Sequence, residues 1–146
     1  MATHTASAQS AIEQAKLSVN AFNEKNWDGC KEALTSDAIY DEVPTQRRLE
    51  GIDAILPVWK AWAAAFADSR ASFQNAFASD DSVVLELRWR GTHSGPLDLP
   101  SGRVDATGKA IDMRACQIIE LKDGKSRAIR HYFDIATMLR QLGVNK

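Results

Sequence analysis

Two polar residues near the end of the chain interrupt strand-like segments whose faces are otherwise apolar. His131 alternates with Ile129 and Phe133, so these three side chains share one face of a strand. Gln117 lies in the same way on the apolar face of residues 113–121. Removing such a polar group from water without a hydrogen-bond partner costs roughly 1–3 kcal/mol. Each side chain therefore needs a partner in the core or a part in a functional site.

The chemistry that His131 could perform is proton transfer. An imidazole has a reference pKa of about 6.5, so it exchanges a proton near neutral pH. It could take a proton from a carbon next to a carbonyl group and return one to the alkoxide that forms. Gln117 could orient a substrate carbonyl. The alternative is structural, with His131 satisfied inside the core and Gln117 as a structural amide.

Tyr40 and Asp41 form a second candidate pair, on a short strand in the first half of the chain. Side chains alternate along a strand, so only one of the two faces inward. Asp41 shares its face with the apolar Ile39 and Val43, which favours Asp41 as the inward residue. An inward Asp41 near His131 would orient the imidazole and raise its basicity. The alternative is a solvated Asp41 at the strand end.

The remaining candidates are a third histidine and a set of large apolar side chains. His93 continues the face of a strand over 82–92, and lies either at the mouth of a pocket or where the strand bends into a glycine-flanked loop. The aromatic residues belong to the core, and some would form the apolar wall of a pocket. The candidate catalytic residues are thus His131 and Asp41. The candidate substrate-binding residues are Tyr40, Trp59, Trp62, Trp89, His93, Met113, Gln117 and Phe133.

Charge and hydropathy exclude several classes of partner. The chain has 146 residues, with 18 basic and 19 acidic side chains and a net charge of −1. Such a balance gives no electrostatic case for binding nucleic acid or an anionic membrane. Residues 1–10 lack the basic and apolar regions of a signal peptide, and no segment approaches the roughly 20 apolar residues of a membrane span. The sequence predicts a cytoplasmic protein whose partner is a small, hydrophobic ligand.

Residue spacing argues against a metal or a bound cofactor. His4, His93 and His131 are too far apart in sequence to indicate a metal-ligand cluster. No glycine-rich phosphate loop precedes a predicted helix, and no serine lies in a Gly-x-Ser-x-Gly turn. Cys30 and Cys116 fit no metal spacing and are predicted to be buried thiols in a reducing cytosol. No metal and no cofactor are expected.

The order of the predicted elements indicates an α+β fold. A flexible polar tail is predicted over residues 1–10, followed by a single domain over 11–146. Helices packed on one face of a strongly curved, mainly antiparallel sheet would form a cone with an apolar interior, the natural place for a small ligand. The predicted helices cover 11–22, 27–34, 53–66 and 135–142, the strands cover 38–43, 69–78, 82–92, 110–121 and 126–133, and a polar connection covers 46–51.

Three stretches of the sequence resemble one known family. They are GTHSG at 91–95, ATGK at 106–109 with KDGK at 122–125, and YFD at 132–134 with LRQLG at 139–143. Together they resemble the SnoaL-like polyketide cyclases, a branch of the nuclear-transport-factor-two-like superfamily that also contains ketosteroid isomerases and limonene epoxide hydrolases. The resemblance covers nearly the whole chain and implies a cone-shaped fold with an enclosed pocket.

The resemblance also implies an activity and an assembly. Cyclases of this type close a polyketide ring by an intramolecular aldol condensation without metal or cofactor, and members of the superfamily commonly form homodimers through the outer sheet face. An acidic residue on the last strand is the family's acid/base, and a glutamine on the preceding strand helps to hold the substrate. Alignment of the closing motif places His131 at the acidic position and Ala115 at the glutamine position. The family pattern further suggests a polar pocket residue near Tyr40.

Three functions are compatible with these residues. The first is a cofactor-independent cyclase or isomerase that acts on a small apolar carbonyl compound, with His131 as the acid/base. The second is an epoxide or ester hydrolase, which needs an inward carboxylate such as Asp41 to activate water. The third is a non-catalytic protein that binds a hydrophobic small molecule, for which the alanine at position 115 is the main support.

Overall fold

A computed structural model describes residues 2–144, with side chains from Ser7 onward. The four predicted helices are confirmed in this part of the chain. The predicted tail is corrected, because the first helix begins at Ala2 and therefore includes residues 2–10. This segment contains no glycine or proline that would stop a helix. The helices are α1 (Ala2–Asn23), α2 (Trp27–Glu32), α3 (Ile52–Ala65) and α4 (Ile135–Gln141).

The strands form a six-stranded sheet and a small separate hairpin. The six-stranded sheet has the order β2-β1-β8-β7-β4-β3. All of its neighbouring strands are antiparallel except β1 and β8, which are parallel. The predicted α+β class with a mainly antiparallel sheet is therefore confirmed. The strands are β1 (Leu34–Glu42), β2 (Arg47–Glu50), β3 (Arg70–Ser79), β4 (Ser82–Thr92), β5 (Leu97–Leu99), β6 (Gly102–Val104), β7 (Ala110–Lys122) and β8 (Lys125–Phe133).

Three short strands lie outside the predicted elements. Strand β2 occupies the segment predicted as a polar connection and pairs antiparallel with β1. It forms an edge of the sheet, where charged side chains can remain in water and also deter pairing with another chain. A 3₁₀ turn (Val43–Thr45) joins β1 to β2, and Gln46 closes it in a left-handed conformation. Strands β5 and β6 form a hairpin within the long segment that follows β4.

Strand β4 shows how alternation separates the two faces of the sheet. Val83, Leu85 and Leu87 are completely buried on the concave face, as their period-two spacing predicts. The opposite face carries charged residues, and Arg88 binds both carboxylate oxygens of Asp112 on β7 at 2.6 and 2.9 Å. The polar face of β4 is therefore stabilised by cross-strand ion pairs.

Helices α1 and α3 cover the concave face. Val19 and Phe22 of α1, and Ile55 and Trp59 of α3, belong to one buried cluster with the inward residues of the sheet. These residues recur at helical spacing, so each helix presents one apolar stripe to the sheet. Among the described residues, no helix is long and apolar enough to cross a membrane.

Two helix caps fix the ends of short segments. The side chain of Asn26 accepts a hydrogen bond from the Gly29 amide at the start of α2. The carboxylate of Asp134 accepts bonds from the amide and hydroxyl of Thr137 at the start of α4. Asp134 is therefore the N-cap of α4. Strand β8 therefore ends at Phe133, two residues after His131.

Candidate active site

The concave face of the sheet and helices α1 and α3 enclose an apolar cavity. The cavity has a volume of about 70 Å³. The wall is almost entirely aromatic or aliphatic, as expected for a site that takes a small organic ligand. Eight residues that the sequence singled out line this cavity: Tyr40, Trp59, Trp62, Trp89, Met113, Gln117, His131 and Phe133. Their catalytic or binding roles stay predictions.

The central polar contact of the cavity joins Tyr40 to His131. The Tyr40 hydroxyl lies 2.7 Å from Nδ1 of the imidazole. The two side chains meet because β1 and β8 are parallel neighbours and both residues point to the concave side. Tyr40 is 3% and His131 is 6% exposed. The prediction that His131 faces inward is confirmed, and the hydrogen bond satisfies one of its two ring nitrogens.

Trp89 determines which nitrogen of His131 carries the proton. The indole Nε1 of Trp89 lies 3.4 Å from Nε2 of His131. An indole N–H can only donate, so Nε2 is the acceptor and the proton of the neutral ring lies on Nδ1. Nδ1–H then donates to the Tyr40 oxygen. The phenol hydrogen is consequently not used within this pair.

Burial keeps both members of this pair neutral. Desolvation lowers the pKa of His131 to about 3, because an imidazolium would lose its hydration in the apolar cavity. Desolvation also raises the pKa of Tyr40 well above its usual value, and the negative charge of Glu42 adds to that effect. At neutral pH the cavity therefore contains an uncharged imidazole and an intact phenol.

Glu42 is a buried carboxylate that the sequence reasoning missed. It has no exposed side-chain surface, and its Oε1 accepts bonds from the Arg47 guanidinium at 2.6 and 3.1 Å and from the Thr45 hydroxyl at 2.5 Å. Its Oε2 accepts from Nε1 of Trp62 at 2.9 Å. Because Trp62 lines the cavity, Glu42 fixes part of its wall. The sequence signal that could have identified Glu42 is its spacing of two residues from Tyr40, which puts both side chains on the same face of β1.

The expectation for an inward Asp41 is wrong. Asp41 is on the opposite face of β1 from Tyr40, where it pairs in register with Arg48 on β2 and Arg130 on β8. The physical reason is that an inward Asp41 would leave a carboxylate in an apolar wall, whereas the Tyr40 ring fills that space and its hydroxyl bonds to His131. Asp41 therefore does not contact the cavity.

The expectation for His93 at the mouth of the pocket is also wrong. His93 is fully buried outside the cavity lining, and its ring stacks on Phe66 with centroids 5.1 Å apart. Its Nδ1 accepts a bond from the Thr107 amide at 3.1 Å. The strand bends into the following loop here, and that loop folds back over the ring. His93 supports Phe66, which itself lines the cavity.

Aromatic contacts hold the polar pair in place. Trp59 meets the Tyr40 ring edge to face, with centroids 5.4 Å apart. Phe133 packs against the His131 ring at 5.1 Å. Trp62 in turn packs edge to face on Phe133. Such contacts restrict the rotamers of both polar side chains, so the hydrogen bond between them is preorganised.

Gln117 lies beside His131 in the wall of the cavity. The two residues pair in register across strands β7 and β8, and Gln117 is only 5% exposed. Its Oε1 is buried without a hydrogen-bond partner among the described residues. Ala115, the next inward residue on β7, is apolar and small. The arrangement therefore brings together a hydrogen-bonded phenol and imidazole, a nearby amide and an apolar wall. No group of three or more metal-binding side chains occurs in the described part of the chain.

Solved structures with the same fold come from several bacteria. A candidate SnoaL-like polyketide cyclase from Jannaschia sp. CCS1 superposes with a TM-score of 0.83 at 17% identity, covering 96% of both chains. IdmH from Streptomyces antibioticus, described as a candidate polyketide cyclase, gives a TM-score of 0.77 at 25% identity over 92% of this chain and 99% of its own. An LEH-like epoxide hydrolase from M. tuberculosis gives a TM-score of 0.71 at 18% identity, over 92% of this chain and 90% of its own.

The family itself is established by sequence. No curated protein matches the chain. The sequence model of the SnoaL-like polyketide cyclases, however, matches residues 13–142. This match includes every strand of the large sheet and the residues that line the cavity. The chain belongs to the SnoaL-like polyketide cyclase family.

Proposed function

We propose that the protein is a cofactor-independent acid–base catalyst that enolises a small, mostly apolar carbonyl compound and closes a ring by an aldol-type step. The observation that carries this proposal is the Tyr40–His131 hydrogen bond of 2.7 Å at the wall of the apolar cavity. A phenol and an imidazole at that distance can stabilise an oxyanion and move a proton. Membership in a polyketide cyclase family supports the same reaction class.

The proton and the electrons follow a short path in this proposal. The Tyr40 hydroxyl donates a hydrogen bond to the carbonyl oxygen of the substrate. Nε2 of His131 is released from its long, 3.4 Å hydrogen bond with the Trp89 indole and takes a proton from the neighbouring carbon, and the C–H electron pair becomes the enolate. The enolate carbon then forms the new C–C bond to a second carbonyl carbon of the same molecule. His131 returns the proton to the alkoxide that results, so the imidazole is neutral again at the end of the reaction.

The low pKa of His131 is compatible with this role once an anion forms beside it. With a pKa of about 3, the ring by itself is a weak base. An enolate within about 4–6 Å favours the imidazolium and raises its pKa. Proton transfer is therefore favoured only when the negative charge appears on a substrate oxygen that Tyr40 already holds.

A non-catalytic binding protein is the second candidate. The observation that favours it is the strength of the desolvation at His131, together with an alanine at the position where the family resemblance expects a glutamine. A hydrolase has less support. The described residues that line the cavity include no carboxylate that could activate water, since Asp41 faces the other side and Glu42 is engaged by Arg47 and Trp62.

Deuterium exchange tests the proposed chemistry without knowledge of the natural substrate. Acetophenone and benzoylacetone would be incubated with the protein in D₂O, and the loss of the α-proton signal followed by NMR. We expect the wild type to accelerate exchange and His131→Gln to lower the enzymatic rate by about 100-fold or more. Asp41→Asn is the matched control and is expected to leave the rate unchanged.

Each result separates the candidates. Exchange that is equally fast in His131→Gln and in the wild type would overturn the acid–base role. Saturable binding of both ketones with no exchange above the buffer rate would instead support the binding protein. Incorporation of oxygen-18 from labelled water into the diol formed from an epoxide, or into the acid formed from an ester, would support the hydrolase.

The assembly and location that accompany this function are also proposals. We propose a homodimer through the outer sheet face, where Tyr132 is 42% exposed among charged residues, as the family resemblance implies. Sedimentation should show a dimer that Tyr132→Lys weakens, and a monomeric wild type would overturn this.

We also propose a cytoplasmic location, supported by the free thiols Cys30 and Cys116 and checked by subcellular fractionation. A small ligand, rather than nucleic acid or a membrane, is the proposed partner.

A further inference from the structure

The side-chain amide of Gln117 is a polar group that the fold buries but does not use. Gln117 is 5% exposed and lines the cavity. Its Oε1 is buried and has no hydrogen-bond partner in the described part of the chain. A buried acceptor that loses water and gains no partner carries a desolvation penalty. A ligand that donates a hydrogen bond to this amide would remove that penalty.

Tyr40 is the second uncommitted group, and it has the opposite polarity. Its oxygen accepts from Nδ1–H of His131, because Trp89 holds the other ring nitrogen as an acceptor. A phenol has one hydrogen, and in this arrangement it is not used within the pair. The floor of the cavity thus presents a donor at Tyr40 and an acceptor at Gln117, on either side of His131.

The register of the sheet places these two groups within reach of one ligand. Gln117 on β7 lies directly opposite His131 on β8, and residues in such a pair have Cβ atoms about 5 Å apart. Tyr40, on the other neighbour of β8, bonds to the same imidazole. The three side chains therefore follow one another across the floor of a single cavity whose other walls are mainly aromatic.

We propose that the cavity selects a hydroxy-carbonyl compound of small size. Its carbonyl oxygen accepts a hydrogen bond from Tyr40, its hydroxyl or enol group donates one to Gln117, and its remaining surface is apolar. This inference rests on the proposed function for the orientation of the carbonyl at Tyr40. It adds the requirement that the ligand carries a hydrogen-bond donor for Gln117. Gln117 is then a specificity-determining residue, and His131 lies between the two anchors.

A series of matched probes tests the requirement by binding alone. Ethylbenzene has neither polar group, acetophenone has only the acceptor, 3-ethylphenol has only a hydroxyl, and the 2-, 3- and 4-hydroxyacetophenones have both groups at different spacings. Dissociation constants would be measured by calorimetry or by NMR titration of the wild type. We expect at least one hydroxyacetophenone to bind about five- to ten-fold more tightly than acetophenone.

Variants assign the preference to the two residues. Gln117→Met keeps the volume of the side chain and is expected to abolish the preference for the hydroxyl while acetophenone still binds. Tyr40→Phe is expected to abolish the preference of the cavity for the carbonyl. Gln74→Met, the same change at an exposed position on β3, is the control and should leave all ratios unchanged. Each comparison is a ratio of two dissociation constants measured on the same variant. A loss of stability that weakens the binding of both probes therefore does not change the ratio.

The proposal is overturned if none of the hydroxyacetophenones binds more tightly than acetophenone, or if Gln117→Met keeps the preference. These outcomes are independent of the exchange reaction. Selective binding without deuterium exchange would remove the proposed catalysis and keep the ligand class. Deuterium exchange without selective binding would keep the proposed catalysis and remove the ligand class.

Discussion

The hydroxyl of Tyr40 and Nδ1 of His131 lie 2.7 Å apart, although 91 residues separate them in the chain. The contact exists because β1 inserts beside β8 as the one parallel pair of an otherwise antiparallel sheet. It gives the buried imidazole a partner and does not use the phenol hydrogen, which the proposed function assigns to a substrate carbonyl. One hydrogen bond therefore links the stability of the cavity to its proposed chemistry.

Loss of the Tyr40 hydroxyl should destabilise the fold. Tyr40→Phe leaves Nδ1–H of His131 without an acceptor in a buried site, which costs about 1–3 kcal/mol. Denaturant unfolding monitored by circular dichroism measures this. Tyr132→Phe removes the same hydroxyl from a side chain that is 42% exposed in a single protomer; at protein concentrations that keep the chain monomeric, it should change the free energy of unfolding by less than about 0.5 kcal/mol. Equal effects of the two variants would contradict the buried hydrogen bond.

The depressed pKa of His131 predicts a particular dependence of stability on pH. The pKa is about 3 in the folded protein and about 6.5 in an unfolded chain. Above about pH 6.5 the ring is neutral in both states, so its titration does not change the free energy of unfolding. As the pH falls from there towards 3, the unfolded chain binds a proton that the folded protein does not, so the free energy of unfolding decreases.

His131→Gln isolates this contribution. The wild type should lose about 1 kcal/mol per pH unit relative to His131→Gln within that window. Urea unfolding at several pH values between about 7 and 4.5 measures the difference, and His93 is present in both proteins. A stability difference that stays constant over the range would show that His131 does not have a depressed pKa.

The buried ion pair of Glu42 and Arg47 should matter more than an exposed pair. Glu42→Gln removes the charge from a fully buried side chain that also holds Trp62. We expect a loss of about 2–3 kcal/mol, below the full penalty for a buried pair because Arg47 is 24% exposed. The matched control is Glu50→Gln, which breaks the exposed pair with Arg48 and should cost less than about 1 kcal/mol. Similar losses in both variants would argue against a structural role for Glu42.

Gly95 marks the point where the hairpin loop touches helix α3. Its amide and that of Ser94 both donate to the carbonyl of Ala65, and a Cβ at Gly95 would overlap the carbonyl oxygen of Ala64. Gly95→Ala should therefore cost about 1–3 kcal/mol. Ser94→Ala, at an exposed neighbour whose backbone bond is kept, is the control. Thermal unfolding checks both, and an unchanged midpoint in Gly95→Ala would contradict the close approach.

The sequence predicts the elements well because their signals are local. Alternation along β4 and the helical spacing of Ala15, Val19 and Phe22 in α1 each lie within a single segment. The same alternation places His131 inward with Ile129. These patterns need no knowledge of the neighbouring elements, so both the α+β class and the cavity-facing strand could be predicted.

The errors concern residues whose environment depends on other elements. Period two divides Tyr40 and Asp41 between two faces, but which face is buried depends on the pairing of β1 with β8. Glu42 is a strand-end carboxylate in sequence, and its burial depends on Arg47 from β2 and Trp62 from α3. His93 leaves the cavity because Thr107, from the far end of the loop, supplies its hydrogen bond.

The ¹⁵N NMR spectrum of His131, assigned with the His131→Gln variant, tests the central claim most directly. At about pH 7 and again at about pH 5, we predict a neutral ring with its proton on Nδ1, and a clear change in the Nδ1 resonance in Tyr40→Phe. A ring that carries its proton on Nε2, or one that is an imidazolium at about pH 5, would contradict the account.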